Sequence, residues 1–91
     1  MRISVFGLGY VGAVSAACLA AEGHDVIGVD VNPTKVALIN EGRSPIVEEG
    51  IAELTAKMVA EGRLRATADT DEAVAETDIS LVCIGTPSND N

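Results

Sequence analysis

The sequence predicts an α/β fold, a doubly wound parallel sheet, from three observations. Short apolar runs rich in β-branched residues alternate with segments of helical periodicity, the connections between them are only a few residues long, and glycine or proline marks most boundaries. Ninety-one residues suit one small domain with a modest core. No internal repeat, low-complexity tract or linker interrupts them.

Residues 3–6 are a short apolar run of strand formers ending at Gly7, as in a buried parallel strand that closes in a tight turn. From Val11, the apolar residues Val14, Cys18 and Leu19 recur at helical spacing until Gly23 supplies a stop. Residues 25–30 contain Val26, Ile27 and Val29, a second buried strand, so that a right-handed βαβ unit follows. Asn32 then caps a short helix with Pro33 at its first position; Val36 and Ile39 give its buried face and Gly42 ends it. After a loop around Pro45, a third helix is predicted from about Glu48, with its two acids near the positive end of the dipole. It runs through Ile51, Leu54 and Met58 to Gly62.

In residues 63–68, Leu64, Ala66 and Ala68 alternate with Arg65 and Thr67, the pattern of a half-exposed edge strand. Asp69 and Thr70 open a short helix through Glu76, with Glu72 in capping-box register. Residues 79–84 are nearly all apolar, which marks a central strand. Four strands alternating with helices predict the spatial order 3-2-1-4, the first part of a doubly wound sheet. The chain is therefore expected to be the N-terminal portion, residues 1–91, of a larger nucleotide-binding domain.

Composition removes several classes of function. Six basic against fourteen acidic residues give a net charge of −8, and with one Tyr, one Phe and no Trp neither a phosphate backbone nor stacked bases find a surface, so nucleic acid is not an expected partner. The uncharged stretch 3–21 superficially resembles a signal peptide. Its ordered glycines, its Ala- and Ser-rich composition and the strand that follows at once oppose that reading, and no membrane partner is expected. Cys18 and Cys83 belong to no metal-ligand or C-x-x-C spacing and read as small buried apolar residues, in keeping with a reducing, cytoplasmic setting; no metal is expected. His24 reads as a turn residue.

Chemistry is carried by Gly7-Leu8-Gly9-Tyr10-Val11-Gly12, a G-x-G-x-x-G directly after a predicted strand and opening a predicted helix. Gly7 allows a sharp turn, Gly9 leaves room for a pyrophosphate against the main chain, and Gly12 lets helix and strand pack closely. Free amides at the helix N-terminus attract phosphate locally, whatever the net charge. Such glycines often serve turns alone, but here Asp30 ends the second strand, eighteen residues after Gly12. A carboxylate there accepts hydrogen bonds from ribose hydroxyls and repels a 2′-phosphate, which predicts NAD rather than NADP on a Rossmann-type fold. Lys35, one turn into the next helix, either reaches the same ribose or a phosphate, or is a solvated helix lysine. Thr86, after the fourth strand, either touches ligand at the sheet's carboxyl edge or serves the turn.

The opening residues 1–12, the Val26-Ile27-Gly28-Val29-Asp30 strand, the Ser44-Pro45-Ile46-Val47-Glu48 loop and the Gly85-Thr86-Pro87 turn together resemble the N-terminal part of the UDP-glucose/GDP-mannose dehydrogenase family. The resemblance runs the length of the chain, with one departure at Glu49, where the family usually has proline. It implies an enzyme of polysaccharide biosynthesis that oxidises a sugar C6 alcohol to a carboxylate in two NAD-dependent steps, through a thiohemiacetal and a thioester on a catalytic cysteine. It further implies NAD contacts from Tyr10, Val11, Asp30, Lys35 and Thr86, and a homo-oligomeric parent. The nucleophile and the segments that bind the nucleotide-sugar substrate would lie downstream; neither Cys18 nor Cys83 matches the nucleophile. By this reading residues 1–91 alone are inactive. GDP-mannose is the nearer substrate and UDP-glucose the alternative; a non-catalytic dinucleotide-binding module on the same fold is the rival.

Overall fold

A computed structural model describes residues 1–83 and contains eight elements. In chain order these are β1 (Arg2–Phe6), α1 (Tyr10–Ala21), β2 (Asp25–Val29), α2 (Pro33–Asn40), α3 (Ile51–Ala60), β3 (Leu64–Thr67), α4 (Thr70–Ala75) and β4 (Ile79–Val82). The strands form one parallel sheet in the order β3-β2-β1-β4, as predicted. The chain reverses direction across the sheet between β1 and β4, and in such sheets the carboxyl ends of the strands at that point form a crevice.

Strand alternation sends Ile3, Val5, Val26, Leu64 and Ala66 to one face, where they pack with Leu8, Ala16, Ala20, Ile39 and Met58. On the other face Ile27, Val29 and Phe6 meet Ala73 of α4. The buried stripe of α1 is Gly12, Ala13, Ala16, Ala17 and Ala20. This corrects the sequence reading of that helix: Val14 and Leu19 are half-buried and Cys18 is exposed, because a helix lying close against a sheet buries its smallest side chains. Cys83 is half-buried against the larger core.

Capping chemistry follows the sequence at two helices. The Asn32 side chain accepts the Thr34 N–H at 2.9 Å with Pro33 beside it, and Asp69 accepts the Glu72 N–H at 3.1 Å. The third helix differs from its prediction: it starts at Ile51, not near Glu48. Gly50 takes φ 82°, a left-handed conformation that no residue inside a helix can hold, so Glu48 and Glu49 stay in the loop and Glu53 is the acid of the first turn.

The free edge of β3 is closed by a side chain. Asn40, the last residue of α2, donates to the Ala66 carbonyl and accepts the Ala66 N–H, both at 2.9 Å, so its amide takes the place of a neighbouring strand. Arg65 on the same strand reaches Glu72 at 2.9 Å and Glu76 at 3.3 Å, tying α4 to the sheet. Between β1 and β4 the buried Ser4 hydroxyl lies 2.7 Å from the Ser80 hydroxyl and accepts from Thr77 at 3.0 Å. The β4 side chains are exposed, Val82 most of all at 73%.

Candidate functional site

The carboxyl ends of β1, β2 and β4 open into a cleft of about 450 Å³ lined by Phe6, Gly7, Gly9, Val29, Asp30, Val31, Lys35, Thr70 and Cys83. The turn Gly7–Gly9 forms its floor, and α1 begins at once behind it. Gly7 has φ 97°, which an L side chain rarely adopts, and its N–H donates to the Val29 carbonyl at 2.8 Å, pinning the turn to β2. Gly12 is needed for a different reason. A Cβ there would lie 1.6 Å from the Gly7 carbonyl oxygen, so only glycine lets α1 rest on the turn.

Gly9 has neither constraint. Its φ is −77°, open to any residue, and a Cβ built on it meets nothing within 4 Å. The space in front of it is open cleft, and no side chain caps the first amides of α1. The geometry offers an anion both room and donors at one point.

Asp30 stands opposite. Its Oδ2 accepts the Leu8 N–H and its Oδ1 the Asn32 N–H, both at 2.8 Å, so one carboxylate clamps the glycine turn to the loop after β2. Partial burial works to raise its pKa. The Leu8 and Asn32 donors, helped by the Lys35 ammonium, outweigh that and hold the carboxyl below its ordinary 3.8. A carboxylate offers about four acceptor positions, and the chain uses two, which leaves acceptors for a pair of hydroxyls. Lys35 lines the cleft and makes no ion pair among the described residues, whereas all four arginines do.

Of the residues singled out in the sequence, Gly7, Gly9, Asp30 and Lys35 line this one cleft, and Gly12 supports its floor. Tyr10 and Val11 are exposed on the first turn of α1, at 56% and 60%. Thr86 lies outside the described residues. His24 sits in the turn between α1 and β2, as expected.

Three features escaped the sequence reading. Leu8, within the turn, is fully buried, and its side chain rests over Gly28, where a Cβ would be 2.8 Å from Leu8 Cδ2. A glycine inside β2 was the available signal for that close approach. The Tyr10 hydroxyl donates to Glu48 of the α2–α3 loop; that hydrogen bond first, then the carboxylate charge and desolvation, raise the phenol above its ordinary 10.0. Finally, Thr70 and Cys83 contribute to the cleft wall.

Residues 1–91 match the model of the UDP-glucose/GDP-mannose dehydrogenase family, NAD binding domain. This chain belongs to that family. It is 62% identical over 91 residues to GDP-mannose 6-dehydrogenase of Pseudomonas syringae pv. tomato, covering 100% of this chain and 21% of that relative. To UDP-glucose 6-dehydrogenase of Haloferax volcanii the identity is 46%, with the same coverage of each chain. The fold superposes with a TM-score of 0.96 and 58% identity on the crystal structure of a ternary complex of GDP-mannose dehydrogenase from Pseudomonas aeruginosa, covering 100% of this chain and 21% of that one. The chain thus spans about a fifth of the length of these dehydrogenases. The cofactor of this family domain is NAD. No helix among the described residues is long and apolar enough to cross a membrane.

Proposed function

We propose that residues 1–91 are the N-terminal portion of the NAD-binding domain of a nucleotide-sugar 6-dehydrogenase that oxidises GDP-mannose to GDP-mannuronate. The open space before Gly9, bounded by uncapped α1 amides and by Asp30, carries the cofactor assignment. The higher identity to the GDP-mannose enzyme than to the UDP-glucose enzyme favours the substrate.

Gly7 and Gly9 would leave room for the pyrophosphate, and the amides of Tyr10, Val11 and Gly12 would donate to it. Asp30 takes the adenosine ribose hydroxyls on its two spare acceptor positions and, as an anion, repels the 2′-phosphate of NADP. Lys35 supplies the local positive charge that a chain of net −8 otherwise lacks. Thr86, which follows the fourth strand in the sequence, is the further NAD contact that the family resemblance implies. When bound, NAD would supply the hydride acceptor for both two-electron oxidations that carry the sugar C6 alcohol to a carboxylate, with one water consumed. The thiol nucleophile and the sugar-nucleotide pocket belong to the remainder of a homo-oligomeric enzyme that works in the reducing cytoplasm.

The test is turnover of the full-length enzyme with GDP-mannose or UDP-glucose, each with NAD or NADP. Two equivalents of NADH per GDP-mannose, with little turnover of UDP-glucose, is the expected result. Equal rates with NAD and NADP would remove the role given to Asp30, and preference for UDP-glucose would replace the substrate.

A further inference from the structure

We infer that Glu48 is a positioning residue for the cofactor site, acting through its hydrogen bond from Tyr10 to tie the α2–α3 loop to the phosphate-binding turn. The inference rests on the reading that the first turn of α1 meets the NAD pyrophosphate. Tyr10 is the first residue of α1, directly after Gly9, and its ring is more than half exposed. An exposed tyrosine with no partner moves among its rotamers. Its hydroxyl makes one hydrogen bond among the described residues, to Glu48.

Glu48 is itself held in place. The Ser44 hydroxyl donates to the Ile46 carbonyl at 2.8 Å and accepts the Ile46 N–H at 3.2 Å, which shapes the loop. The Glu48 carbonyl accepts the Ile51 N–H at 3.1 Å, joining it to the start of α3. The strap therefore runs from α3 through the loop and the Tyr10 ring to the residue beside Gly9.

Electrostatics and positioning predict opposite outcomes here. A carboxylate on the α1 N-terminal side repels a pyrophosphate, so if its charge were all that mattered, removing it would tighten NAD binding. If its work is to hold Tyr10, removal loosens binding. An exposed hydrogen bond of this kind adds little to global stability, so its consequence falls on the orientation of the ring.

The test is a double-mutant cycle in the full-length enzyme with NAD as the titrant. Glu48→Ala is expected to raise the NAD dissociation constant about threefold to tenfold, the scale of one hydrogen bond. The kinetic effect falls in KM for NAD rather than in kcat. Glu48→Gln, whose amide oxygen still accepts, recovers part of the loss. In the Tyr10→Phe background, Glu48→Ala adds no further loss.

Unchanged or tighter NAD binding by Glu48→Ala, or additive losses in the double variant, would overturn the inference. If Tyr10→Ala weakens NAD binding while Glu48→Ala does not, the inference fails and the cofactor reading stands. If Tyr10→Ala has no effect either, the Tyr10 side chain has no part in NAD binding and the inference fails, while the backbone amides of the first turn are untouched by the substitution.

Discussion

Replacing Gly9 and Gly12 one at a time separates what the turn does for the fold from what it does for the ligand. At Gly12 a Cβ would sit 1.6 Å from the Gly7 carbonyl oxygen and 2.8 Å from its carbon. Relieving that overlap requires α1 and the turn to part by roughly 1.5 Å, and close-packed interiors do not yield that far without loss. The face of α1 that would have to lift contains Ala13, Ala16, Ala17 and Ala20, all exposed by 2% or less. Gly12→Ala should therefore cost about 3 kcal/mol or more, at the upper end for overpacking. That is a large part of the stability expected of a domain this size, on the order of 5–14 kcal/mol.

Gly9→Ala meets none of this. Its backbone angles suit alanine, nothing lies within 4 Å, and the cost of a poorer helix cap, about 0.5–1 kcal/mol, is offset by a similar loss of unfolded-state entropy. Stability should stay within about 1 kcal/mol of the parent, yet the new methyl stands where the pyrophosphate approaches, so NAD affinity should fall at least tenfold, and Gly9→Val should abolish binding. Thermal unfolding by circular dichroism and calorimetric NAD titration of the full-length enzyme give the two readouts. A Gly9→Ala protein that unfolds as readily as Gly12→Ala, or that binds NAD normally, would refute the reasoning.

Asp30→Ala should weaken NAD binding by about 1–3 kcal/mol, as for a lost charge-assisted hydrogen bond, and narrow the preference over NADP, read from KM ratios. Because the folded-state pKa of Asp30 is depressed, its stabilising effect is full above the ordinary 3.8 and is lost as pH falls through the lower folded value; an acid titration of Asp30→Asn against the parent checks the sign. Asn40→Ala should cost about 1–2 kcal/mol in urea unfolding, since it removes both partners of Ala66, and should promote association through the bared edge of β3. The Tyr10 phenol, raised by Glu48, should ionise above 10.0. Its pairing is intact below that pH and lost as pH rises through the raised value. An ultraviolet titration, differenced against Tyr10→Phe, should show Glu48→Gln returning ionisation toward the ordinary value. Expressed alone, residues 1–91 should turn over no GDP-mannose and should self-associate, because β4 exposes Ile79, Leu81 and Val82; turnover, or a monomer by light scattering, would contradict this.

The strands, their order and the two capped helices were legible because buried parallel strands are written as apolar runs and helix caps as specific residues. The start of α3 was not. Glu48 and Glu49 resemble a first turn favoured by the helix dipole, and only the left-handed Gly50 shows that the helix cannot include them. The face of α1 was misread because hydropathy ranks Val14, Cys18 and Leu19 above alanine, while close approach to a sheet selects for size. At the site, the motif and Asp30 were visible from spacing. The contacts from Asp30 to Leu8 and from Tyr10 to Glu48 were not, since they join residues 22 and 38 positions apart that no local period connects.

Those unseen contacts shape the anion site proposed for this strongly acidic chain. The alanine stripe lets α1 come close enough for Gly12 to touch the turn, which fixes where the first amides of the helix point. Asp30 then holds the turn and the loop after β2 at a set separation while keeping acceptors free. Four of the six cations are engaged in ion pairs elsewhere, and only Lys35 lines the cleft. On the proposed reading, attraction for the pyrophosphate comes from the oriented backbone dipoles at the start of α1, with Lys35 the one cationic side chain lining the cleft beside them. Net charge sets the chain's long-range field, whereas the proposed pyrophosphate contact depends on the local dipoles of one helix terminus.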